Sequence, residues 1–274
     1  MTAIATGTAP RFLDGMESDD YHAHHALGSS SLKTLATRTP AHFVWERENP
    51  KTSDAFDLGT VAHSLILEQD ESGVAVLQVR DKRSKAWKEF DADTRAEGKI
   101  PLTGAEWDRV TAMRDSVMSH PIARNAFTGH VAERSVFWEK SGVPVKCRPD
   151  AWNRGVIVDL KTAVNADPRD FPKKAMDLGY HQSQALYRDG MEALTGDRPR
   201  FLFVIVEKEP PHLVSVVELD PDFEALGARL NDQALTIYRE CTDTGTWPGY
   251  PTPATPLPAP RWADSLTEGI LGND

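Results

Sequence analysis

Apolar positions along this chain follow two rhythms. Leu58, Val61, Ala62 and Leu65 recur at helical spacing between Asp57 and Glu68. Trp107, Val110, Met113 and Val117 do the same between Glu106 and Ser119. Both stretches predict amphipathic helices. Val143, Val145 and Cys147 instead alternate with Pro144, Lys146 and Arg148, the period of a half-buried strand. Val156-Ile157-Val158 is a β-branched run, which predicts another strand. Asn153-Arg154-Gly155 between them has turn chemistry. Glu133 to Trp138, residues 143–148 and residues 156–160 together read as a three-stranded antiparallel meander. Phe201 to Val206 is apolar throughout and predicts a buried strand, with His212 to Leu219 as its hairpin partner and Pro210-Pro211 at the turn.

The rest of the chain fits around these elements. Residues 1–20 read as a flexible arm. Ser29-Ser30-Ser31 opens a helix, and Pro40 opens another that runs through Trp45 and Glu46, with Pro50 closing the region. Residues 80–100 are polar and predict an exposed loop with helical pieces. A helix is expected around 169–178, a second from Tyr180 to Leu194 closed by Gly196, and a long one from Pro221 to about Cys241. After Trp247 the chain is proline-rich. The expected class is α/β, a central mixed sheet flanked by helices. A single domain over 21–246 lies between the arm and a tail at 247–274. No internal repeat is present.

Composition narrows the picture. A chain of 274 residues can bury a full core. It has no apolar run of membrane-spanning length, and its first residues lack a basic start and apolar core, so a membrane or secretory setting is not expected. Two cysteines, Cys147 and Cys241, are too few for a disulfide framework. A cytoplasmic setting is the expectation. Net charge is −10, which by itself argues against nucleic acid. Eleven of the acids and three arginines fall in residues 209–274, however, so the first 208 residues stand near balance at −2. Residues 80–99 carry seven bases against five acids.

The candidate chemistry lies in Arg148-Pro149-Asp150 followed by Asp159-Leu160-Lys161. A hairpin there sets Asp150 near Asp159, and Lys161 shares a strand face with Asp159. Two carboxylates and an ammonium suit metal-assisted attack on a phosphodiester. The acids hold Mg²⁺, the metal lowers the pKa of a water, and the lysine orients or deprotonates that water or neutralises developing charge. The same residues also fit an ordinary surface salt bridge. His63 reads locally as a structural helical histidine or as a ligand. Ser30, Ser31 and Lys33, at a helix start, fit either a plain cap or a phosphate contact. Tyr21-His22-Ala23-His24-His25 invites a zinc reading, with a polar turn as the stronger alternative.

Taken in order, Asp20-Tyr21-His22, Thr39-Pro40-Ala41, Asp57-Leu58-Gly59-Thr60 with His63, Cys147-Arg148-Pro149-Asp150, Asp159-Leu160-Lys161-Thr162, Tyr180-His181 with Tyr187, Trp247-Pro248 and Pro260-Arg261-Trp262-Ala263 resemble the RecE family, the exodeoxyribonuclease VIII nuclease domain. That family belongs to the PD-(D/E)XK nucleases and is related in fold to phage lambda exonuclease. The resemblance covers roughly residues 20–265. It implies that His63, Asp150 and Asp159 are metal ligands, with the Leu160 carbonyl completing the shell, and that Lys161 is the catalytic lysine. It implies that Tyr187 and a nearby glutamine place the phosphate or the water, and that Glu133 assists near the metal. The glutamine expected four residues before the tyrosine is Ser183 here, and a small shift of helix register would present Gln184 instead. The implied cofactor is Mg²⁺, with Mn²⁺ as a substitute because His63 supplies nitrogen. The implied activity is 5′-to-3′ degradation of one strand of linear double-stranded DNA. The implied partners are DNA ends, a RecT-like single-strand annealing protein and further copies in a tetrameric ring, with a phage or prophage setting in a bacterial host. The alternatives are an endonuclease or single-strand nuclease of the same fold, and a non-catalytic scaffold that binds DNA ends.

Overall fold

The structure is a computed structural model that describes residues 9–49, 55–260 and 263. Residues 1–8 of the expected arm, Pro50, Arg261, Trp262 and residues 264–274 of the tail therefore lie outside the described residues. In chain order the elements are β1 (Arg11–Leu13), α1 (Ser18–Ala23), α2 (Ser29–Thr37), α3 (Pro40–Glu48) and α4 (Ala55–His63), which runs on into a π-helical turn at Ser64–Glu68. Next come β2 (Val74–Leu77), α5 (Lys85–Ala96), β3 (Ile100–Thr103), α6 (Gly104–Ser119) and α7 (Pro121–Phe127). The strands β4 (Val131–Ala132), β5 (Ser135–Lys140), β6 (Val143–Cys147), β7 (Ala151–Asn153) and β8 (Val156–Ala163) follow. The chain closes with α8 (Phe171–Leu178), α9 (Tyr180–Thr195), β9 (Arg200–Glu207), β10 (Val214–Val217) and α10 (Pro221–Thr244).

The central sheet has the order β10-β9-β8-β7-β4, with β8 and β9 parallel and the other neighbours antiparallel. It is the mixed sheet the sequence predicts. Its strands β8 and β9 are covered on both faces, which is why they read as continuous apolar runs. Phe201, Phe203 and Ile205 join a core with residues of α2, α9 and α10, while Val204 and Val206 join a second core with residues of α4, α6 and α7. The two helical layers lie against opposite faces.

The meander is organised differently from the expectation. β5 and β6 pair in a separate three-stranded sheet with β1, whereas β8 pairs with β7 and not with β6. Pro149 has no N–H to give, so the ladder breaks just after β6. The register nevertheless runs through the break unchanged, from Val136↔Cys147 in one sheet to Ala132↔Ala151 in the other. The predicted turn is present. Arg154 and Gly155 both take positive φ, 49° and 82°, as a two-residue hairpin loop requires.

Two further expectations are corrected. Arg11–Leu13 pairs with β5 and Ser18–Ala23 is helical, so the arm does not extend to residue 20. Residues 80–100 hold a long helix, α5, that crosses between the parallel strands β2 and β3. Strand signals of four residues each were too short to stand out from the charged context. At the other end, Trp247 stacks on Phe43 and packs against Tyr238, so the start of the tail belongs to the core. Among the described residues, no helix is long and apolar enough to cross a membrane.

Candidate active site

The interrupted register builds the site. Continued one step beyond Ala132↔Ala151, it sets Glu133 opposite Asp150, and the Glu133 N–H donates to the Asp150 carbonyl at 3.2 Å. Continued one step beyond Ala151↔Val158, it sets Asp150 opposite Asp159. Three acids therefore form one row across three adjacent strands. The β7–β8 ladder has ended at that row, which leaves the Leu160 N–H without a strand partner on that side. It donates instead to Asp150 Oδ2, at 2.6 Å. His63, at the end of α4, brings Nδ1 to 3.8 Å from the same oxygen. Ligand atoms of His63, Glu133 and Asp150 all lie within 4.8 Å of one another.

Asp159 and Lys161 share a face as expected, and Lys161 Nζ donates to Asp159 Oδ1 at 2.7 Å. The salt bridge weighed against catalysis is thus real, and it lies inside the acid row rather than on an ordinary surface. Asp159 Oδ2 is buried with no hydrogen-bond partner. The Lys161 ammonium lies 5.3 Å from the Tyr180 ring centroid, and Tyr180 is itself stacked between Phe171 and Phe203.

Too many negative charges share this space. Burial, with Asp150 beside it, pushes the Glu133 carboxyl up to about 8. Burial pushes Asp159 up to about 6 against the pull of Lys161, and Asp150 is raised by burial as well. Burial disfavours the Lys161 ammonium, but Asp159 and Asp150 outweigh that and hold its pKa above the usual range. Burial and the Lys161 charge push His63 down to about 4, so its imidazole is neutral and its lone pair is available.

A sequence-family model described as "PDDEXK-like domain of unknown function (DUF3799)" matches residues 28–254. The chain belongs to this family. Within the matched span, Pro149-Asp150 and Asp159-Leu160-Lys161 have the form of the PD-(D/E)XK pattern. The match reaches the superfamily expected from the sequence; it does not single out the RecE-type branch. Among solved structures, a crystal structure described as "Putative exonuclease" from Eubacterium rectale aligns over 93% of this chain and 99% of its own, with 15% identity and a TM-score of 0.65. At that identity the likeness shows the fold. The crystal structure of SSO0001 aligns over 68% of this chain and 87% of its own at 14% identity, and its TM-score of 0.29 carries no weight. No curated protein matches.

The PDDEXK-like residues fit a divalent cation. An orphaned buried carboxylate oxygen, two further raised carboxyls and a neutral imidazole form a donor set with unmet demand for positive charge. His63 and Glu133 line a cleft of about 890 Å³, together with Leu160 and Lys161. The Leu160 carbonyl faces His63 and favours its protonated form, so it too borders the trio. The trio in closest mutual reach includes Glu133, expected only as an assistant, while Asp159 is turned to Lys161.

Other candidates sit elsewhere. Gln184 Nε2 points to the Leu219 carbonyl at 3.5 Å, and Gln182 bonds Asn231 on α10. Gln184 is thus directed to the β10–α10 connection rather than to the acids, and α9 crosses α10 closely at this rotation. A Cβ on Gly227 would sit 2.1 Å from the His181 carbonyl oxygen. The face of α9 toward Lys161 starts instead with Tyr180, which the sequence reading did not assign; Ser183 and Tyr187 follow at helical spacing. Tyr187 packs on Phe201, and burial keeps its phenol neutral within the field of Asp159 and Asp150. Ser29 starts α2 behind an N-cap at Gly28; Ser30 is exposed and Ser31 half-buried, and Lys33 Nζ reaches the Asp177 carbonyl at 3.0 Å, at the α8–α9 junction. In the histidine cluster, His24 Nδ1 accepts from the Ala26 N–H and the His24 and His25 rings stack, which is the polar turn rather than a zinc site.

Proposed function

We propose that the chain is a divalent-metal-dependent nuclease and, more finely, a RecE-type 5′-to-3′ exonuclease. It would degrade one strand of linear double-stranded DNA to 5′-mononucleotides and leave a 3′ overhang. The observation that carries the nuclease reading is the row of Glu133, Asp150 and Asp159, flanked by His63 and Lys161 at a cleft. The fold shared with the Eubacterium rectale protein supports it. Polarity and substrate rest on the order of motifs from Asp57-Leu58-Gly59-Thr60 to Pro260-Arg261-Trp262.

His63, Glu133 and Asp150 would hold the cation, with the Leu160 carbonyl beside them and Asp159 Oδ2 completing the negative charge. A bound divalent cation supplies Lewis acidity toward the phosphate and a lowered pKa for the attacking water. Lys161, held above the usual range by Asp159 and Asp150, is a cation beside the row that can stabilise charge developing on the phosphate. Asp159 and the Tyr180 ring hold its ammonium in place. Tyr187 remains a neutral hydroxyl able to donate toward the substrate. Mg²⁺ is the proposed ion, and the His63 nitrogen favours Mn²⁺ as an effective substitute. Ser30, Ser31 and Lys33 are proposed DNA contacts beside Tyr180. A tetrameric ring, a RecT-like annealing partner and a phage or prophage setting in the bacterial cytoplasm belong to the same proposal.

Linear duplexes labelled at the 5′ or 3′ end, incubated with Mg²⁺ beside a closed circle, test this. Early mononucleotide release from the 5′ label with the circle intact is expected. Nicking of the circle identifies an endonuclease and overturns the polarity. End binding without cleavage in Mg²⁺ or Mn²⁺ overturns the enzyme.

A further inference from the structure

Arg148 lies two residues before Asp150 and lines the cleft. Its guanidinium is fixed from three directions. Nε donates to Ser135 Oγ at 2.9 Å, Nη2 donates to the Met16 carbonyl at 2.8 Å, and the guanidinium carbon lies 4.3 Å from the Tyr21 ring centroid. Tyr21 is anchored in turn, because Lys146 donates to its carbonyl and sits over its ring.

All three partners are neutral. Other arginines near the core end on carboxylates: Arg134 on Asp14, Arg188 on Glu224, and Arg198 on Asp189, Glu192 and Glu224. Arg148 forms no ion pair and Nη1 has no hydrogen-bond partner among the described residues. Its charge is nonetheless felt by Glu133. Lys161 is committed to Asp159. Lys208 also lines the cleft, but nothing among the described residues fixes its ammonium. Arg148 is therefore a rigid cation beside the acid row, held by neutral partners and without a direct ion pair among the described residues. A guanidinium held this way is preorganised for a phosphate oxygen, and its remaining donor edge costs nothing to reorient.

We propose that Arg148 grips a non-bridging oxygen of the phosphate that is cut, holding it against the group formed by His63, Glu133 and Asp150. This rests on the nuclease reading and names the residue that seats its substrate.

The test uses the full chain and its Arg148→Ala and Arg148→Lys variants. Melting temperatures establish folding. Cleavage of a labelled linear duplex in Mg²⁺ gives kcat and KM, and binding of the same duplex in Ca²⁺ across a KCl series gives the salt slope. Arg148→Ala is expected to lower kcat by roughly a hundredfold or more and to reduce the slope of log affinity against log salt by about 1. Arg148→Lys is expected to keep the slope, because the charge remains, and to recover little of kcat, because the fork is lost. Unchanged slope and near-normal kcat in folded Arg148→Ala would make the residue structural and overturn the proposal. If Arg148→Ala does not fold, Arg148→Lys decides: normal kcat overturns it, and reduced kcat at an unchanged melting temperature supports it. If the wild type cleaves nothing, the nuclease reading fails, while the salt slope still reports whether Arg148 meets a phosphate.

Discussion

Glu133 and Asp150 face each other where two paired strands leave one sheet for another, joined by a 3.2 Å bond from the Glu133 N–H to the Asp150 carbonyl. Pro149 and the positive φ of Glu133, 48°, interrupt the ladder there while keeping its register. The interruption is what frees Asp150 to bond the Leu160 N–H and places three acids in a row.

The crowded acids set a pH dependence of stability. The folded pKa of Glu133 is about 8 against an ordinary value of 4.5, so between those values the folded state holds a proton that the unfolded state has lost. The Glu133 contribution to metal-free stability therefore falls as pH rises through that window, and Asp159, at about 6 against 3.8, acts in the same direction, while His63, at about 4 against 6.5, acts oppositely between its two values. Scanning calorimetry should show a metal-free melting temperature that drops from pH 6.5 to 8, where the Glu133 proton is lost and His63 is largely neutral in both states. Mn²⁺ should stabilise more at pH 8 than at pH 6, since it binds the ionised acids. Glu133→Gln should flatten the metal-free slope.

Lys161→Met should lower kcat by roughly a hundredfold or more, because it removes the cation at the developing charge. Isothermal titration should show that Mn²⁺ still binds the variant. Asp159→Asn should also abolish most turnover, with the far-UV circular dichroism spectrum unchanged. Full activity in either would remove the pair from the site.

On α9, Gln184→Ala should leave cleavage close to wild type, because Gln184 faces Leu219. Tyr180→Ala should lower kcat, whereas Tyr180→Phe should retain it, since the ring face over Lys161 survives in phenylalanine. Steady-state kinetics of the three variants side by side checks the assignment.

Gly227→Ala should destabilise the fold by about 3 kcal/mol or more, because its Cβ would meet the His181 backbone at the α9–α10 crossing. Denaturant unfolding measures this.

Much of this was legible in the sequence where local pattern and tertiary outcome agree. The apolar run at Phe201 to Val206, the helices with Val110 and Leu65, and the Arg154-Gly155 turn follow from periodicity and turn chemistry. Asp159 and Lys161 were placed together by strand spacing alone. The rest depended on information that spacing does not carry. Glu133 became a candidate ligand through register across a ladder break, which needs strand pairing to be known. The strands Val74–Leu77 and Ile100–Thr103 pair in parallel around α5, a non-local contact with a weak local signal. Gln184 was misplaced because helix rotation is decided by Gly227 on another helix. Tyr180 and Arg148 were visible as residues, but their roles come from what lies over them.

A crystal grown with Mn²⁺ and measured near the manganese absorption edge addresses the metal site directly. An anomalous difference peak between His63, Glu133 and Asp150 is the expected result. A clear map with bound manganese elsewhere and no peak among those three side chains would contradict the assignment.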